Sequence, residues 1–103
     1  MNKKQTIEYW KGKIKTNPGW ALKAAIRIYQ SQTREEQSSH ATLSSNGVGF
    51  NSFDSPVISP IVDRYLRTKQ IEGKSIYQLQ RRMPKYAGQL YKLVGDTNES
   101  RND

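Results

Sequence analysis

The sequence predicts an all-α fold, a single small domain of about five short helices with a long Gly/Phe loop packed across them. Three observations carry that expectation. Apolar residues recur at three-to-four spacing through most of the chain. Helix-start signals stand in front of those runs. One run, GWALKAAIRIYQSQ, is rich in the strong helix formers Ala and Leu.

Within TIEYWKGKIK, Ile7, Trp10 and Ile14 share one helical face, and Gly12 weakens that helix by roughly 1 kcal/mol relative to Ala. Asn17-Pro18 then pairs a favoured N-cap with a residue suited to the first turn, which predicts a second helix over about 18–31. Its apolar face gathers Trp20, Ala24, Ile28, Leu22, Ala25, Ile26 and Tyr29. Thr33 and Glu36 fit the capping-box spacing, so a third, polar helix is expected from Arg34 to near Leu43.

The segment NGVGFNSFDSP reads as a loop. Gly47 and Gly49 permit positive φ. Asp54 or Ser55 can cap a fourth helix that takes Pro56 in its first turn, with Pro60 in or near that turn. Val57, Ile58, Ile61, Val62, Tyr65 and Leu66 form its stripe. The last helix is expected from about Glu72–Ser75 along the seam Ile76, Leu79, Met83, Tyr86, Leu90 and Leu93, kinked or split near Met83 by Pro84. The globular part spans 6–94; residues 1–5 and 95–103 read as polar, flexible termini.

Composition bounds the function. The 103 residues leave room for one domain, and only 34% are hydrophobic, below a norm of roughly 45–50% that also counts Gly. A thin core must lean on its two Trp, two Phe and six Tyr. There is no cysteine, so disulfides, thiolate metal sites and cysteine nucleophiles are excluded. No apolar run approaches the roughly 20 residues of a membrane span. The N-terminal MNKKQTIEYWKGK lacks the apolar core of a secretory signal, so a cytoplasmic location is expected.

The net charge is +8, distributed as +6 over 1–30, −3 over 31–63, +7 over 64–94 and −2 over 95–103. A polyanion partner, DNA or RNA, is the natural functional reading; the plain alternative is a solubilising surface. Arg64 and Arg67 are three apart, Arg81 and Lys85 four apart, with Arg82 beside them, so each set shares a helix face and can contact phosphate. Phe50 and Phe53 can stack on unpaired bases or plug the core, and a core this small favours the second; Phe50 is kept as a candidate base contact.

Catalysis finds little support. His40 with Glu36 at i−4 is a surface pair that falls short of a metal site. Asp54 reads as a cap and Asp63 as a partner for its neighbouring arginines. Gly-Val-Gly lacks the phosphate-loop pattern. No cofactor, metal or small-molecule substrate is expected, and no enzyme activity.

Gln32-Thr33 with Glu36-Gln37, then Asn46-Gly47-Val48-Gly49-Phe50 with Asp54, then Lys85-Tyr86-Ala87-Gly88-Gln89-Leu90, form an ordered set over just over half of the chain. The set resembles a group of small proteins of phages and other mobile elements, and similar stretches look to be attached to helicase-like proteins of DNA metabolism. The resemblance implies a nucleic-acid accessory role by analogy. Such sequences often place a Leu-Ser or Leu-Thr followed by Lys-Gln before the last helix; Ile71-Glu72-Gly73-Lys74-Ser75 departs from that. The function expected is a non-catalytic phage or mobile-element accessory protein that binds nucleic acid through a basic helical face. The alternative is a small adaptor or inhibitor docking on a replication, recombination or defence enzyme.

Overall fold

A computed structural model describes residues 2–39 and 48–102, and side chains over 2–33 and 48–94. Five α-helices follow in order: α1 (Lys3–Thr16), α2 (Pro18–Ser39), α3 (Ser55–Thr68), α4 (Gly73–Arg82) and α5 (Ala87–Asn102), with a 3-10 turn at Met83–Tyr86 between the last two. No strand occurs among the described residues. No described helix is long and apolar enough to cross a membrane.

Local chemistry sets the helix ends. Asn2 and Gln5 form a reciprocal capping box at the start of α1: the Gln5 N–H donates to Asn2 Oδ1 at 2.8 Å and the Asn2 N–H to Gln5 Oε1 at 3.1 Å. Asn17 closes α1 through its N–H to the Lys13 carbonyl. It also opens α2, as its pairing with Pro18 predicts, its Oδ1 accepting from the Gly19 and Trp20 N–H groups at 2.9 and 3.3 Å.

Two expected helices prove to be one. α2 runs through Thr33 without a break, and Thr33 does not cap. Its hydroxyl donates back to the Tyr29 carbonyl at 3.0 Å, the interior bond of a threonine already inside a helix. Nothing between Ser31 and Thr33 forbids helical backbone, so the capping signature is overridden. Residues 40–43, the end of the expected third helix, lie outside the described residues, as do 44–47.

Conversely, the long final helix is two. Pro84 lacks a donor, and the chain tightens into the 3-10 turn before resuming as α5. With three residues per turn, Met83 and Tyr86 fall on one side. Both are buried, with Pro84, while Lys85 stands out.

α3 starts with Pro56 in its first turn, but Pro60 sits inside the helix, one bond short on the exposed side. α3 stops at Lys69, whose backbone is left-handed at φ 61° and whose N–H reaches the Tyr65 carbonyl at 2.7 Å. Glu72 occupies the N-cap of α4 without a side-chain cap bond, in keeping with the missing hydroxyl there.

α2 touches every other element. Its Ala21, Ala24, Ala25 and Ile28 stripe meets Ile14 of α1, Ile58 and Val62 of α3, Leu79 of α4 and Met83, with Val48 inserted from the loop. The alanines let neighbouring backbones come close, which suits a core with few large side chains.

Candidate functional site

Two regions concentrate polar chemistry. The first is built on the loop Val48–Asp54, which three distant side chains tie to the helices. The Gly49 N–H donates to Gln89 Oε1 of α5 at 2.8 Å, the Phe50 N–H to Gln32 Oε1 of α2 at 2.8 Å, and the Asn51 N–H to the Tyr86 hydroxyl at 3.0 Å. Asn51 Oδ1 in turn accepts from the Phe53 and Asp54 N–H groups. Gly49 is not in the left-handed region that its identity suggests; it is there for room, since a Cβ would lie 3.1 Å from Gln32 Oε1.

At the end of the loop Asp54 is 1% exposed. Arg82 donates to its Oδ1 at 2.9 Å, Lys85 to its Oδ2 at 2.8 Å and the Tyr86 hydroxyl to Oδ2 at 2.6 Å. Burial pushes its pKa up, but the hydrogen bonds from Lys85, Tyr86 and Arg82 and the Lys85 charge outweigh it, holding the carboxyl below its ordinary value. Burial and the bond to Asp54 push Tyr86 up to about 12. The reading of Asp54 as a helix cap is therefore corrected: it occupies the N-cap position of α3 but makes no cap bond, because three partners from beyond Arg81 occupy its oxygens.

The expected basic face divides accordingly. Arg82 and Lys85 serve this internal knot, Arg82 also donating to Gln78 at 3.0 Å. Arg64 pairs with Glu72 at 3.1 Å and Arg67 with Asp63 at 3.2 Å, both pairs well exposed. Arg81 is exposed and touches only the Tyr77 hydroxyl, at 3.5 Å, among the described residues. No hydrogen bond or ion pair among the described residues joins Arg64 and Arg67 to the Arg82–Lys85 group. Phe50 is half-buried, edge-on against Tyr86 at 5.4 Å, while Phe53 is 82% exposed. His40 and the side chain of Glu36 lie outside the described residues.

The second region went unseen in the sequence. α1, α2 and α5 enclose an open groove of about 530 Å³, walled by Trp10, Trp20, Ala24, Leu90 and Val94. Lys23 and Arg27, exposed and one helical turn apart on α2, stand on its rim, and no acid lines it among the described residues. Trp20 is held edge-on by Tyr9, with ring centres 6.3 Å apart, and Trp10 leans on Tyr91 at 5.9 Å. Lys13 lies 5.8 Å over the Tyr9 ring and Lys3 5.8 Å over that of Tyr91. Both tryptophans fall within apolar stripes and so read as core; Lys23 and Arg27 at i, i+4 after Trp20 were the available signal, but the third wall comes from α5, some 65 residues on.

Among the described residues, no group of three His, Asp or Glu side chains stands close enough to hold a metal. No family model, curated protein or solved structure matches the chain.

Proposed function

We propose that this protein is a non-catalytic accessory factor that binds nucleic acid electrostatically, in the cytoplasm of a host cell if a phage or mobile element encodes it. The observation that supports this reading is how the charges are spent. Glu8, Asp54, Asp63 and Glu72, the acids whose side chains are described, are all in ion pairs. Lys3, Lys4, Lys13, Lys15, Lys23 and Arg27 have no acidic partner among the described residues. They put an excess of cations on α1 and α2, where a phosphate backbone releases counterions on contact.

The contact surface is therefore centred on the N-terminal helices, whose Lys11, Lys13 and Lys15 the sequence offers only as an extension of the C-terminal patch. Gln80 reaches the Lys15 carbonyl at 3.1 Å, which lays the end of α1 beside α4 and its exposed Arg81. Arg64 and Arg67 remain secondary contacts, since exposed ion pairs are worth only about 0–1 kcal/mol and yield readily to phosphate.

The test is fluorescence anisotropy with labelled single- and double-stranded DNA and RNA at about 50 and 200 mM salt. If six phosphates are engaged, affinity falls about a thousandfold over that range. No binding at the lower salt overturns the reading. Phe53, a large exposed apolar side chain, then favours the adaptor alternative, and it is the residue to substitute first in a search for a protein partner.

A further inference from the structure

We infer that the groove between α1, α2 and α5 seats an unpaired base of a single-stranded polynucleotide, with Lys23 and Arg27 on the adjoining phosphates; the inference rests on the nucleic-acid reading and narrows it. Four observations converge on this occupant. The groove is aromatic, with Trp10 and Trp20 both half-buried in its wall. Its volume of about 530 Å³ lies within the roughly 300–1,000 Å³ of clefts that hold small-molecule ligands. The indoles are braced, Trp20 by Tyr9 and Trp10 by Tyr91, which restrains their orientation in the wall. The rim is cationic: Lys23 and Arg27 lie about 6 Å apart along the helix axis, and Lys3 and Lys13 stand over the bracing tyrosines.

Charge complementarity chooses among occupants. A neutral apolar peptide would gain nothing from the rim. A duplex presents phosphates but keeps its base faces stacked inside, so it cannot use the indoles. An unstacked base on a flexible strand uses both, as stacking on aromatic side chains does not depend on base identity. The site is therefore expected to tolerate any sequence and to prefer strands that expose their bases.

The chain offers its own readout. Trp10 and Trp20 are its two tryptophans, and both wall the groove. Intrinsic tryptophan emission is followed while oligo(dT), oligo(U), an abasic oligomer of the same length and a duplex are added in turn at about 50 mM salt. The expected result is quenching by oligo(dT) and oligo(U), with little from the abasic strand or the duplex. Lys23→Gln with Arg27→Gln is expected to weaken single-strand binding tenfold or more and to make the log–log salt slope shallower by about 1.4. Arg64→Gln with Arg67→Gln removes the same charge at the secondary contacts away from the groove and is expected to weaken single-strand binding distinctly less. Trp20→Leu, in a chain whose helix content is unchanged by circular dichroism, is expected to cost about tenfold.

Single-strand binding without quenching overturns the inference while leaving the nucleic-acid reading standing. So does equal weakening by the two charge pairs, or a duplex that binds as tightly as the single strand. No binding by any probe at low salt overturns both.

Discussion

The Tyr86 hydroxyl donates to Asp54 at 2.6 Å while accepting from the Asn51 N–H at 3.0 Å, so one phenol joins the 3-10 turn to the middle and the end of a loop 32–35 residues earlier. The carboxylate it touches is nearly sealed from water and is met by two cations. Such a group stabilises only while all its partners are present.

Asp54→Asn is therefore expected to lower stability by about 2–4 kcal/mol, read by urea unfolding. The loss stays below that of a fully buried pair because Arg82 and Lys85 keep 29% and 51% of their side chains exposed and can rehydrate. Tyr86→Phe strands the Asn51 N–H and removes one bond to Asp54, for about 1–3 kcal/mol.

The pH dependence has a definite sign at each end. Asp54 has a depressed folded pKa, so its contribution is full above the unfolded value near 3.8 and is lost as pH falls below it. Tyr86 has a raised folded pKa, so its contribution is full below about pH 10 and is lost as pH rises through about 12. Ultraviolet titration should show a phenol ionising at about pH 12 that is missing from Tyr86→Phe; no such step would contradict the buried bond.

Two glycines should respond oppositely to alanine. At Gly49 the new methyl meets the Gln32 oxygen that holds the Phe50 N–H, and about 1 kcal/mol of stability should be lost. At Gly12, inside α1, nothing lies within 4 Å of the new atom, and helix propensity should raise stability by about 0.5–1 kcal/mol. Thermal melts of the two variants decide both.

Lys69→Gly should raise the melting temperature, since glycine takes φ 61° without the steric cost that lysine bears there. The gain should be on the order of 1 kcal/mol. An unchanged or lower melting temperature would mean that the lysine's contact with the Tyr65 ring, 5.7 Å away, outweighs the strain.

Helices were legible where periodicity and punctuation agreed. Asn17-Pro18 marks the α1–α2 boundary because a short acceptor and a preset φ act locally. Pro84 marks the split before α5 for the same reason. Thr33 misled because the same hydroxyl that caps a helix can bond backwards inside one, and only the surrounding packing chooses. Asp54 misled more deeply. Its position before Pro56 is that of a cap, and nothing nearby discloses that Arg82, Lys85 and Tyr86 arrive from the far end of the chain. The groove was illegible on similar grounds, its tryptophans being indistinguishable from core residues until α5 supplies a wall. Gln32, Gly49, Phe50, Asp54, Lys85, Tyr86 and Gln89, far apart in the sequence, are brought together by hydrogen bonds around one loop.

The three side chains that hold the loop also set an order of events during synthesis. Gly49, Phe50 and Asn51 leave the ribosome with N–H groups whose partners are 40 residues ahead, 18 behind and 35 ahead. Only Gln32 is already present when the loop emerges. Until Tyr86 and Gln89 follow, the segment must stay hydrated and the Asp54 carboxylate must remain in water, so the nascent chain can form α1 and α2 early but can lock its centre only once the start of α5 has emerged.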